Sequence, residues 1–240
     1  MAQQKPHRIH DETPEAWRVN VLTPAERLRQ ESLRAAYFAF VAGSYALLLL
    51  PFLFFSTLFL DKPWAVFDGF VGFRQDLAIS NWLSTGEAVM ALTIPLLVLL
   101  TRRRGEALVG QALFFSWVLA ALLWGALLFY LVPQLDDGDM PSQRFFWGYF
   151  GSWFIGQFFA VGIYDITRGG KWWRAPFYAS VIGFAVQSAI YFPVLYWASP
   201  VPWLAWLVEA MFLKVALAIG FLTIYGLLRR TIRPWLGLSG

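Results

Sequence analysis

Lys214 is the residue whose chemistry most constrains this sequence. It stands inside an apolar run, about 202–228, long enough to cross a bilayer. Counted from the end near Pro202 it lies 12 residues in, about 18 Å at the helical rise of 1.5 Å. That is past the middle of a hydrocarbon core about 30 Å thick. A charge at such depth costs at least ~2.5–3.5 kcal/mol, so its ammonium needs a carboxylate, carbonyls or a water-filled cavity. Two readings stay open: a group on a ligand or ion pathway, or half of an internal salt bridge. Glu209 lies five residues earlier, about 140° around the helix, and so is not the i,i+4 neighbour that would neutralise Lys214 locally. It could face the mouth of a cavity or reach headgroups. Glu87, near the outer end of the second apolar run, is the other candidate partner.

Two glutamines reach comparable depth, Gln157 in the fourth run and Gln187 in the fifth. Pro176, Ser180, Gly183, Gln187 and Tyr191 recur at spacings of three and four and so share one helix face. Gly148, Ser152 and Gly156 form a track of small residues beside Gln157, of the kind that lets helices pack closely. Hydrogen-bonding groups at one depth on three runs predict a shared central pocket. Gln157, Gln187, Ser188, Tyr191 and Lys214 are its candidate substrate-binding residues, with Glu87 and Glu209 in or near it. Glutamines and one cation suit a neutral or weakly anionic, planar, hydrogen-bonding solute.

Other chemistry is excluded by what the sequence lacks. Without cysteine there are no disulfides, zinc knuckles, iron–sulfur clusters or thiol nucleophiles. The two histidines, His7 and His10, stand in the polar N-terminal tail, so no bis-histidine haem can lie within the membrane. No phosphate-binding loop of the G-x-x-x-x-G-K-[ST] kind occurs. No Ser/His/Asp set, metal cluster or paired carboxylates stands at membrane depth, so the expectation is a protein that is not an enzyme and uses no metal or cofactor. A lysine on the last helix suggests a retinal Schiff base, but that needs a seventh helix and a deep carboxylate counter-ion.

These residues must be positioned by membrane helices. The chain is 58% apolar and 14% charged, against roughly 45–50% and 25% in soluble domains, and its mean hydropathy is +0.54. Six apolar runs, about 35–60, 85–101, 107–133, 145–166, 174–198 and 202–228, predict an all-α, six-helix transmembrane bundle. Of the 19 Lys/Arg, 15 fall in the tail, at Arg102–Arg104, around Arg168–Arg174 and at Arg229–Arg233. Lys62, Arg74 and Arg144 stand on the other side with Asp61, Asp68, Asp76, Asp136, Asp137 and Asp139. The positive-inside rule then places both termini of this multi-pass protein in the cytoplasm. The basic residues, with a pI near 9.5, thus reflect topology and not nucleic acid.

Residues 1–33 read as a cytoplasmic tail, charged throughout and without a signal peptide. Thr23-Pro24-Ala25-Glu26 has the form of an N-cap, a proline at N1 and a capping-box acid. It predicts a short amphipathic helix through Leu28 and Leu33 that either lies on the membrane surface or extends the first span. Residues 62–84 read as an interfacial loop or short re-entrant helix, anchored by Trp64, Phe67, Phe70, Phe73 and Trp82. Trp172, Trp173, Trp203, Trp206 and Trp235 read as interface belts, and residues 234–240 as a C-terminal tail.

Gly156-Gln157, Lys171-Trp172-Trp173-Arg174-Ala175-Pro176, Gly183 with Gln187-Ser188-Ala189-Ile190-Tyr191, Phe212-Leu213-Lys214-Val215 and Tyr225-Gly226 occur in an order that resembles the queuosine precursor transporter family. Pro95 and Thr101 with Glu106 extend the resemblance weakly upstream, so that it covers about 90–230. The resemblance implies a six-helix inner-membrane importer of 7-deazaguanine bases, in which Gln157 and Lys214 match polar positions of the family pattern. Gln187 and Arg102 stand where the family has aspartates, and Ala160 where it is often acidic. The expected function is therefore transport of a small planar solute, with the bilayer and that solute as partners. The alternative is a non-transporting accessory subunit or assembly factor, in a homo-oligomer or a larger membrane complex, favoured by the tail, the aromatic loop and the missing aspartates.

Overall fold

The computed structural model describes residues 23–71, 74–134 and 142–234. The readings made for residues 1–22, Phe73, Asp136, Asp137, Asp139 and Trp235 lie outside the described residues. The fold is all-helical, with no strand among the described residues, and five of its helices are long and apolar enough to cross a membrane.

Helix α1 runs unbroken over Pro24–Leu58, so the predicted short helix extends the first span and is not a separate surface element. The capping box forms as expected: Thr23 N donates to the Glu26 carboxylate at 2.9 Å and Glu26 N donates to Thr23 Oγ1 at 3.3 Å. No glycine or proline interrupts residues 25–42, which is why the helix continues. Among the described residues, those from Phe40 onward form one compact unit and residues 23–39 belong to another.

Residues 62–84 make three 3₁₀ turns, Ala65–Val71, Gln75–Leu77 and Ile79–Asn81, and not a re-entrant α-helix. Their ends are pinned together, Trp64 N donating to Leu83 O at 2.8 Å and Thr85 N to Lys62 O at 2.7 Å. Arg74 and Asp76 form an ion pair, and Ser80 N donates to Asp68 at 2.9 Å.

The next crossing is split into α2 (Thr85–Ala91) and α3 (Thr93–Arg104). Pro95 explains the break: it has no N–H for the Ala91 carbonyl, and its ring crowds that carbonyl. Helix α4 (Glu106–Leu131) follows across a single glycine, Gly105, whose φ of 82° suits a residue without Cβ. Helical backbone then runs without interruption from Gln143 to Thr167, as α5 (Gln143–Phe146), one π turn (Trp147–Gly151) and α6 (Ser152–Thr167). Helices α7 (Arg174–Tyr196) and α8 (Trp203–Leu228) complete the chain.

Helices α6 and α7 form the closest pair, and the small-residue tracks are the reason. A Cβ on Gly156 would stand 2.7 Å from the Gly183 carbonyl, and one on Gly183 would stand 2.8 Å from the Ala160 Cβ. Helix α3 packs on α6 and α7, α4 on α6 and α3, and α8 mainly on α7. Leu49, Leu53, Met90, Ile94, Leu113, Trp153 and Phe184 lie in the main core; Val98, Tyr164, Phe221 and Tyr225 make a second cluster toward the basic end.

Candidate functional site

Lys214 is 4% exposed and its ammonium reaches three acceptors on two other elements. Nζ donates to Gln187 Oε1 at 2.6 Å and Ser188 Oγ at 3.0 Å on α7, and to Glu87 Oε1 at 3.3 Å on α2. An ammonium has three N–H groups, so all of its donors are used. The Trp153 ring lies 5.5 Å from Nζ and adds a cation–π contact. Glu87 is 1% exposed, so this is a buried ion pair.

Local sequence places each member. Ser84 caps α2 by accepting from Glu87 N at 3.1 Å, which sets Glu87 in the first turn with its side chain inward. Gln187 lies on the inward face of α7 with Pro176, Ser180, Gly183 and Tyr191, all of them buried as the periodicity required. Gln187 Nε2 faces Ser152 Oγ at 3.5 Å, and Ser188 Oγ donates to Gln187 Oε1 at 3.2 Å.

The predicted single pocket does not form. Gln157 is fully buried but belongs to a separate network: Trp117 Nε1 on α4 donates to its Oε1 at 2.8 Å, and its Nε2 donates to Thr93 Oγ1 at 2.6 Å. Thr93 in turn donates to the Met90 carbonyl. Equal depth on two helices does not fix the direction around each helix, and the two glutamines point to different neighbours. Tyr191 is buried among Tyr149, Phe192 and Tyr196 and does not line the cavity beside Lys214. Glu209 also stands apart from Lys214: it accepts from Trp82 Nε1 at 3.2 Å and ties α8 to the 62–84 segment. Trp206, read as a belt residue, is buried and donates to the Asp76 carbonyl at 2.9 Å.

The ion pair is the polar end of a cavity of about 340 Å³. Its walls are Glu87, Ala88 and Leu92 on one side and Lys214, Ala216 and Leu217 on the other, with Trp64 and Trp82 above. Trp64 and Trp82 were legible only as interfacial anchors; nothing in their spacing tied them to Lys214. Among the described residues no group of carboxylates and histidines could hold a metal.

Comparison with protein-family models, with curated proteins and with solved structures gives no match.

Ala160, Arg102 and Gln187 are each accounted for by their contacts. Ala160 packs against Gly183, leaving no room for a carboxylate. Arg102 turns to the end of α8, where it donates to Tyr225 OH at 3.0 Å, Ile232 O at 3.0 Å and Arg229 O at 3.3 Å. A guanidinium on those terminal carbonyls satisfies the acceptors that every helix end leaves open. Gln187 offers Lys214 a neutral acceptor, and the negative charge comes from Glu87.

Proposed function

We propose that this chain is a six-span inner-membrane protein, both termini cytoplasmic, that binds and moves a small planar hydrogen-bonding solute. It would act as a transporter of the queuosine precursor type and not as an enzyme. The observation that carries this reading is the Lys214–Glu87 pair at the end of a cavity. Charges are rare at membrane depth and concentrate on substrate and ion paths. A 7-deazaguanine base presents ring N–H donors beside a carbonyl acceptor, and Glu87 supplies the carboxylate such donors need. The unbroken helical run Gln143–Thr167 supports a sixth crossing beside the five long helices.

A specific observation favours the accessory-subunit reading: all three Lys214 donors, and both ends of the Gln157 amide, are already satisfied within the chain. Uptake of labelled 7-deazaguanine bases by cells lacking their own importer separates the two. Wild-type chain should restore accumulation, and Gln187→Leu should reduce it severalfold. Wild-type protein that inserts correctly yet moves no base would favour the accessory subunit. Reporter fusions after Arg233 and at Gly105 should read cytoplasmic, and one after Gln134 the opposite side.

A further inference from the structure

The cavity beside Lys214 is nearly all apolar, and where it opens decides what can enter. Its end toward the 62–84 segment is closed by Trp82 and Leu83, both buried, with Leu83 O holding Trp64 N. The exposed lining residues are Leu92, 49% exposed, and Ala216. Lys214 lies 11 residues past Trp203, about 16 Å along α8. Ala216 is two residues further, and Leu92 is five residues past Glu87, which pairs with Lys214, so the two stand about 20 Å and about 24 Å in. Both depths fall inside a hydrocarbon core of about 30 Å. The mouth thus faces acyl chains and not water.

We propose that this site takes its ligand from within the bilayer: an uncharged, lipid-dissolved molecule whose flat head donates to Glu87 and accepts from Trp64, and whose apolar chain leaves between Leu92 and Ala216. The inference rests on the reading of the Lys214–Glu87 cavity as a site for a small planar hydrogen-bonding molecule and puts a lipid-soluble ligand there in place of a water-soluble base. Three observations fix the head. The ion pair is neutral as a whole, so a charged head would leave a net charge in hydrocarbon. Lys214 has no donor left, whereas a carboxylate accepts at about four positions, so Glu87 is the group that can take a ligand donor. Trp64 Nε1 is buried without a hydrogen-bond partner among the described residues and lines the same cavity, which makes it the donor to a ligand oxygen. The volume, about 340 Å³, is at the small end for ligand pockets, enough for a head ring and the start of a chain.

The probe is radiolabelled decylresorcinol, whose ring hydroxyls both donate and accept, with the full chain in lipid nanodiscs and empty nanodiscs as baseline. Saturable binding is expected, weakened about tenfold or more by Trp64→Phe and by the paired change Glu87→Gln with Lys214→Met. The paired change removes both charges together, so it keeps the interior neutral and the fold intact. Because the chain has no cysteine, Ala216→Cys carries a single nitroxide label. Dissolved oxygen should collide with that label more than a water-soluble nickel chelate does, and decylresorcinol should suppress the oxygen collisions where chainless resorcinol does not. A label relaxed mainly by nickel would overturn entry from the bilayer while leaving the binding site standing. Saturable binding of a 7-deazaguanine base without binding of decylresorcinol would overturn the lipid-soluble class alone. Saturable binding of neither would overturn both readings. Binding of decylresorcinol that ignores Trp64→Phe and the paired change would overturn the placement of the head.

Discussion

Lys214→Met, read beside its double variant, measures what the buried pair contributes. Methionine keeps the length and apolar fit of the lysine stem while removing the charge. The carboxylate it leaves behind is 1% exposed, and the cation 3.3 Å away is gone. Breaking a buried pair by removing one partner costs about 3–5 kcal/mol, because the remaining ion is desolvated and uncompensated. At about 2–4 °C per kcal/mol for a chain of this size, thermal unfolding in detergent should come roughly 6–20 °C earlier. Glu87→Gln should cost a comparable amount, since the ammonium would keep only the neutral acceptors Gln187 and Ser188. The double variant behaves differently. With both charges removed there is nothing to desolvate, and neutral replacement of a buried pair ranges from no change to about 1–4 kcal/mol of gain. It should therefore unfold at or above the wild-type temperature, with the two single losses failing to add. Lys214→Met as stable as wild type, or a double variant no better than either single one, would refute the pairing.

Three further outcomes follow from the packing and from the outer segment. Gly86→Ala should sharply lower the yield of monodisperse protein in size-exclusion chromatography, because its Cβ would stand 1.9 Å from the Ser56 carbonyl of α1. Ala160→Asp should lower thermal stability by at least about 1–3 kcal/mol and gain no uptake, since the Cβ already faces Gly183. The Asp68 carboxyl is held below its ordinary 3.8 by the hydrogen bonds it accepts from Ser80. Its contribution is thus complete above that value and lost as pH falls through the lower folded one. The protection factor of the Ser80 amide, its exchange rate relative to the intrinsic rate at the same pH, should fall on acidification through that window, and in Asp68→Asn it should be low at neutral pH and independent of pH.

How much of this was legible in the sequence depended on whether a local rule applied. Thr23 and Glu26 form their capping box because all the partners lie within three residues. The face of α7 carrying Ser180, Gly183 and Gln187 is buried because spacing along one helix fixes angle around it. Relations between helices were not legible. Glu87 and Lys214 are 127 positions apart, and no periodicity in either run says that the two faces meet. Depth alone grouped Gln157 with Gln187, but depth is one coordinate; the angle around each helix sends Gln157 to Trp117 and Gln187 to Lys214. Trp206 looked like a membrane-interface residue because its distance from the helix end suits one. Its indole N–H instead found the Asp76 carbonyl in a segment that the sequence left without a defined conformation.

The break at Leu92 and the charge on Lys214 belong to one arrangement. Pro95 cannot donate to Ala91, so the crossing from Thr85 to Arg104 is interrupted one residue later, at Leu92. That residue lies exposed at the cavity mouth, and the same interruption is bridged by Thr93, whose hydroxyl donates to the Met90 carbonyl and accepts from Gln157. The Met90 carbonyl and the Thr93 hydroxyl beside the break are satisfied on the inward side by the Gln157 network, while the side toward the cavity mouth is apolar. Lys214 and Glu87 then neutralise each other at the inner end of that apolar side, within reach of α7 but short of the mouth. A bilayer tolerates a helix interruption and a pair of charges at this depth only if every donor and acceptor is internally matched or offered to a bound molecule. Trp64 Nε1 is one of the buried donors without a partner among the described residues, and it lines the cavity together with Glu87, whose carboxylate has acceptor positions left for a bound molecule.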